Sequence, residues 1–96
     1  MAERRDASGR LTFDFNGIES GRYRKITKAV MSEFGLEPVG GKTRGLDEVF
    51  QDFMRGNEIV GLEWDNWSGY IVNAKTKSAE YLVREIAGYV SAKFNS

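Results

Sequence analysis

Glu63 and Asp65 stand two residues apart beside both tryptophans of the chain, in residues 59–75, IVGLEWDNWSGYIVNAK. Two carboxylates on one strand face are the residue types that hydrolyse glycosides or hold a hard metal ion. The second half of the chain adds Asp47, Glu48, Asp52 and Glu58. Their pattern is unspecific. Asp47 and Glu48 suit the first turn of a helix, where the macrodipole favours negative charge, and Asp52 falls on a solvated face. No EF-hand loop is present. The chain has no His and no Cys. That removes the commonest general base and zinc ligand, any Ser-His or Cys-His nucleophile pair, disulfides and thiolate metal sites. No catalytic residue, metal ligand or cofactor is assigned, and a carboxylate- or metal-dependent enzyme stands as an alternative only.

A second constellation is cationic. Arg22, Arg24, Lys25 and Lys28 share the polar face of an expected first helix, and Lys42 and Arg44 follow in Gly40-Gly41-Lys42-Thr43-Arg44-Gly45. Gly-Gly-Lys-Thr echoes the end of a phosphate-binding loop, but the glycine that the motif needs five positions before Gly41 is Leu36. The segment reads as a flexible connection whose cations and backbone N–H groups are able to meet an anion. The helix face reads either as solvated or as a phosphate contact. These six residues are the candidate anion site.

Periodicity supplies the elements that hold these groups. Leu11, Phe13 and Phe15 alternate with polar residues, as in a half-buried strand ending at Asn16-Gly17. Tyr23, Ile26, Val30 and Phe34 form a helical stripe over 22–34, with Ser20 as N-cap and Gly35 as the left-handed terminator under Leu36. Pro38, Gly40 and Gly41 mark an irregular or edge-strand connection. Leu46, Val49, Phe50 and Phe53 have the spacing of a helix over 46–55, with Gly56 ending it. A last helix over 78–94 carries Leu82, Ile86 and Val90, with Ser78 as its cap. Residues 1–9 lack periodicity and read as a flexible terminus. The order β-α-(β)-α-β-β-α predicts an α+β two-layer sandwich, with three helices on a small, mainly antiparallel sheet of about three to four strands.

The segment 59–75 reads as a β-hairpin with two possible registers. A two-residue Asp65-Asn66 turn pairs Trp64 with Trp67. A five-residue loop from Asp65 to Gly69 pairs Trp64 with Tyr70, Leu62 with Val72 and Val60 with Ala74. The second separates apolar from polar faces more cleanly and makes an aromatic cross-strand pair, so it is preferred. It assigns Trp64 and Tyr70 to the core and leaves Trp67 at the tip. There Trp67 either folds back as a lid or serves as a contact, a role in which tryptophan is enriched.

The remaining bounds are compositional. The 96 residues, 41% hydrophobic and 12% aromatic, suit one folded domain, 1–96. Net charge is zero, which argues against general nucleic-acid binding. Residues 1–45 hold nine Lys and Arg against six Asp and Glu, while residues 46–96 hold five against eight. No signal-peptide pattern or membrane span is visible, and the lack of cysteine favours a cytoplasmic setting. No motif identifies a family. The expectation is a small non-enzymatic protein–protein interaction module, of a size suited to a toxin-neutralising immunity-type protein. It would bind a protein, or itself as a homodimer, through Glu63, Asp65, Asn66 and Trp67. Nucleic-acid or phosphate-ligand binding through the first helix and Lys42/Arg44 is the alternative from a different class.

Overall fold

The computed structural model describes residues 1–45 and 47–94. It is α+β, with a six-stranded antiparallel sheet and two α-helices. The strands are β1 (Ala2–Arg5), β2 (Leu11–Phe15), β3 (Glu37–Arg44), β4 (Glu48–Arg55), β5 (Glu58–Asp65) and β6 (Gly69–Ala74). The helices are α1 (Tyr23–Phe34) and α2 (Glu80–Phe94). Spatial order is β1-β2-β6-β5-β4-β3, so a hairpin at one edge meets a four-strand meander through the β2–β6 pair. No helix among the described residues is long and apolar enough to cross a membrane.

The expected three helices on three to four strands are therefore corrected to two helices on six strands. The main error is β4. Val49 and Phe53 are four apart, a spacing that satisfies both a helical stripe and a strand face of period two. In the structure both are buried, while Glu48, Asp52 and Met54 alternate with them toward the other face. Gly56 does not end a helix. With φ of 61° it opens the two-residue Gly56-Asn57 turn joining Arg55 to Glu58, as a type II′ hairpin requires. Leu46, assigned to the same stripe, lies outside the described residues.

The second correction is β1, in the segment read as having no element. All four of its residues are exposed, so it shows no hydrophobic alternation. It is held by charge. Arg4 Nε donates to Asp14 Oδ2 at 2.6 Å, Arg5 reaches Glu80 of α2 at 2.5 Å, and Arg84 of α2 reaches Glu3 at 3.4 Å. Asp6 closes the hairpin by accepting the N–H groups of Ser8 and Arg10.

Helix starts also differ from expectation. Short 3-10 turns at Ser20–Arg22 and Lys77–Ala79 precede α1 and α2. Arg22 occupies the N-cap of α1, with no side-chain cap, in place of Ser20. Ser78 lies inside the second turn, whose N-cap is Thr76. The C-terminus of α1 follows expectation. Gly35 is left-handed, and Leu36 donates to the Met31 carbonyl while burying its side chain.

Both helices cover one face of the sheet. Ile26 and Val30 of α1 and Leu82, Ile86 and Val90 of α2 bury against Leu11, Phe15, Phe53, Val60, Leu62 and Val72. Two tyrosine hydroxyls cross this layer with their hydrogen bonds made. Tyr23 donates to the Leu62 carbonyl, and Tyr70 pairs with Thr27 Oγ1 at 2.8 Å. Burial pushes Tyr23 up to about 12 and Tyr70 higher still, so both act as neutral structural groups.

The β5–β6 hairpin adopts the preferred register, with Trp64 opposite Tyr70, Leu62 opposite Val72 and Val60 opposite Ala74. The ladder continues to Asp65 opposite Gly69, leaving Asn66, Trp67 and Ser68 as the loop. Gly69 has φ of 73°, and a Cβ there would lie 2.0 Å from the Phe15 carbonyl oxygen. Gly69→Ala is expected to cost about 3 kcal/mol or more, since left-handed strain adds to a backbone clash. Gly56→Ala, with open space around the new methyl, is expected to cost only about 1–2 kcal/mol. Urea denaturation of the two variants measures the difference.

Candidate functional site

Two surfaces gather the residues singled out by sequence. The first is the end of the sheet at the β5–β6 tip. Asp65 Oδ1 accepts the N–H of Trp67 at 2.9 Å and of Ser68 at 2.6 Å, the Asx turn that its short carboxylate favours. Asn16, from the turn after β2, donates its side-chain amide to the Trp67 carbonyl at 3.1 Å. Asn66 N–H donates to the Asp47 carbonyl at 3.1 Å, which docks the β3–β4 turn on the tip. The loop backbone is thus fixed by its own Asp65 and by two neighbouring segments. Its indole is not covered, and Trp67 is 81% exposed. The lid alternative fails because these bonds hold the backbone with the side chain pointing away from the core. Trp64 is the packed tryptophan, half-buried, with Nε1 donating to the Ile18 carbonyl at 2.9 Å.

Glu63 does not join this surface. It lies on the sheet face opposite the helices, 8% exposed, with Lys75 Nζ 2.9 Å from Oε2. Gly61 makes the room, since a Cβ there would come within 2.6 Å of Glu63 Oε2 and 2.7 Å of Lys75 Cε. Burial holds the Glu63 carboxyl above its ordinary value even beside Lys75, and the carboxylate in turn holds the Lys75 ammonium up. Asp65 spends an oxygen on its own loop. The two carboxylates therefore have separate structural duties. Among the described residues no three acidic side chains converge as metal ligands would.

The second surface divides the candidate anion site. Arg24 and Lys28 of α1 and Lys42 of β3 line one cleft of about 170 Å³ between α1 and the β3–β4 pair. Its apolar lining includes Tyr23, Met31, Pro38 and Phe53. Arg22 is turned elsewhere, donating to the Phe94 carbonyl at the end of α2. Lys25 is exposed and does not line this cleft, and Arg44 lines a separate hollow beside Glu48 and Trp64. Sequence reasoning missed Gln51, which also lines the cleft. Read as part of a strand, Gln51 is a polar residue on the inward face between Val49 and Phe53, and that is the signal that would have found it.

Two outcomes test these placements. Lys75→Met is expected to cost about 2 kcal/mol at neutral pH, below the value for a fully buried pair because Lys75 is over one-third exposed. A raised carboxyl is already a stability term that declines as pH rises past the ordinary Glu range. Without Lys75 it rises further, so the deficit shrinks when Glu63 is protonated on acidification. Urea curves at neutral pH and at about pH 4 show whether it does. Asp65→Ala is expected to cost about 1 kcal/mol and to speed amide exchange at Trp67 and Ser68, while Asp65→Asn, which keeps the acceptor oxygen, is expected to retain most protection. No family model, no curated protein and no solved structure matches this chain.

Proposed function

We propose that this chain is a small, cytoplasmic, non-enzymatic interaction module that grips a protein partner through Trp67. The observation that carries the reading is an 81% exposed indole on a loop whose backbone is tied at three points. An exposed tryptophan on a loose loop would lose conformational freedom on binding, at a cost in affinity. One on a fixed loop is pre-organised, and more of its buried area is returned as affinity. Tryptophan is also the residue type most enriched among interface anchors.

The surroundings define the partner's chemistry. Asp47 of the β3–β4 turn, Glu48 at the start of β4 and Asp65 at the end of β5 lie together at this end of the sheet. A matching surface presents an apolar pocket for the indole with basic residues at its rim, since opposite charge steers encounter and fixes register. Glu63 is excluded from the contact set by its burial against Lys75. Asp65 acts by shaping the loop, leaving Trp67 and Asn66 as the direct contacts.

Trp67→Ala tests this reading. Stability in urea is expected to stay within about 0.5 kcal/mol of the parent, because the side chain packs on little. Capture of protein partners from the source lysate is expected to fall at least about 30-fold in affinity, the loss typical of a central aromatic anchor. Undiminished capture by the folded variant would count against the tip. A stability loss above about 2 kcal/mol would show instead that Trp67 belongs to the core.

A further inference from the structure

The cleft between α1 and the β3–β4 pair has the makings of a ligand site independent of the Trp67 surface. Its cations come from two consecutive elements that fold back on each other across Gly35 and Leu36. Arg24 and Lys28 stand one helical turn apart on α1, and Lys42 approaches from β3. Among the described residues none of the three makes an ion pair, and no Asp or Glu lines the cleft. Three cations facing one small volume repel one another unless an anion joins them.

The wall that brings Lys42 there is irregular. β3 pairs with β4 as Val39 to Asp52 and resumes as Thr43 to Phe50, so Gly40, Gly41 and Lys42 stand against Gln51 alone. Gly40 takes φ of 71° within this bulge. Bulges of this kind re-aim side chains and recur beside functional sites. Met31, Pro38 and Phe53 add an apolar part to the same lining.

We infer that this cleft binds a small phosphomonoester carried on a compact apolar body, such as an aryl phosphate. Charge selects the head. A phosphomonoester near neutral pH carries close to two negative charges, whereas a carboxylate carries one and would leave two of three cations unmatched. The Arg24 fork suits two oxygens of one phosphate, and the lysines add point charges. Volume selects the body. About 170 Å³ accommodates one ring and is below the usual range for larger organic ligands. Met31, Pro38 and Phe53 give that ring an apolar contact, while a polynucleotide would present its charge along a track longer than this cleft.

The test is a ¹H–¹⁵N titration of the full chain with phenyl phosphate at low ionic strength. Saturable shifts are expected at the amides of Thr27, Met31 and Gln51, with half-saturation below about 1 mM. Arg24→Gln with Lys42→Gln is expected to weaken this at least tenfold, and Trp67→Ala to leave it unchanged. Inorganic phosphate and benzoate are each expected to bind at least tenfold more weakly than phenyl phosphate, since each lacks one half of the recognised group. Non-saturating shifts up to about 10 mM, or shifts indifferent to the double substitution, would overturn the site. Equal binding of inorganic phosphate or benzoate would overturn the assigned chemistry. So would tighter binding of a single-stranded oligonucleotide at the same amides. The substituted side chains are exposed, so the variants are expected to fold, and their undisturbed spectra serve as the control.

Discussion

The approach of Gly69 to the Phe15 carbonyl is the constraint on which the rest of this sheet depends. At that point the backbone turns left-handed with no room for a side chain. The turn closes the β5–β6 hairpin on a three-residue loop and so fixes its register. Because side chains alternate, that register decides which face meets the helices. Tyr70 and Val72 go inward and Ile71 and Asn73 outward. The same close approach lets β2 lie directly beside β6, joining the N-terminal hairpin to the meander. One residue of slippage would send Tyr70 out and leave the Thr27 hydroxyl without its partner.

The two faces of the sheet then follow different physics. The inward face is a hydrocarbon layer crossed by two satisfied tyrosine hydroxyls. The outward face is held by polar pairs stretched across neighbouring strands. Arg4 meets Asp14, Asn73 donates to both Thr12 and Asp6, and Lys75 meets Glu63. These groups are close enough that Asp14, Thr12, Asn73 and Glu63 are buried without a helix above them. Such a network adds less energy than apolar packing but penalises wrong pairings, because a mispaired charge on this face loses its partner. It also explains how an edge strand as polar as β1 keeps its place.

Legibility in the sequence followed the same division. Elements that bury an alternating or helical apolar stripe could be read, namely β2, α1, the β5–β6 hairpin with its register, and α2. β1 could not, because its ties are charges, to Asp14 on the next strand and to Glu80 and Arg84 far away in sequence. β4 was misread because four residues is close to one helical turn and is also two strand repeats. The Gly56-Asn57 dipeptide was the overlooked signal, since Gly-Asn between two eight-residue apolar-bearing runs is hairpin chemistry. For the candidate sites, the exposure of Trp67 depended on Asn16 and Asp47 tying the loop from outside, which no local pattern records. Glu63 looked like a tip residue because alternation places it beside Asp65. Its burial depends on Gly61 of its own strand and on Lys75 just beyond β6.

The strand that was hardest to read is also the one that makes both surfaces possible. β4 begins at Glu48, beside the turn whose Asp47 carbonyl holds the Trp67 loop, and continues through Gln51 and Phe53, which wall the α1 cleft. As a helix, residues 46–55 would have taken β5 and β3 out of register with each other and left Lys42 without the bulge that aims it. As a strand, residues 48–55 run from the end of the sheet that carries Trp67 to the wall of the basic cleft.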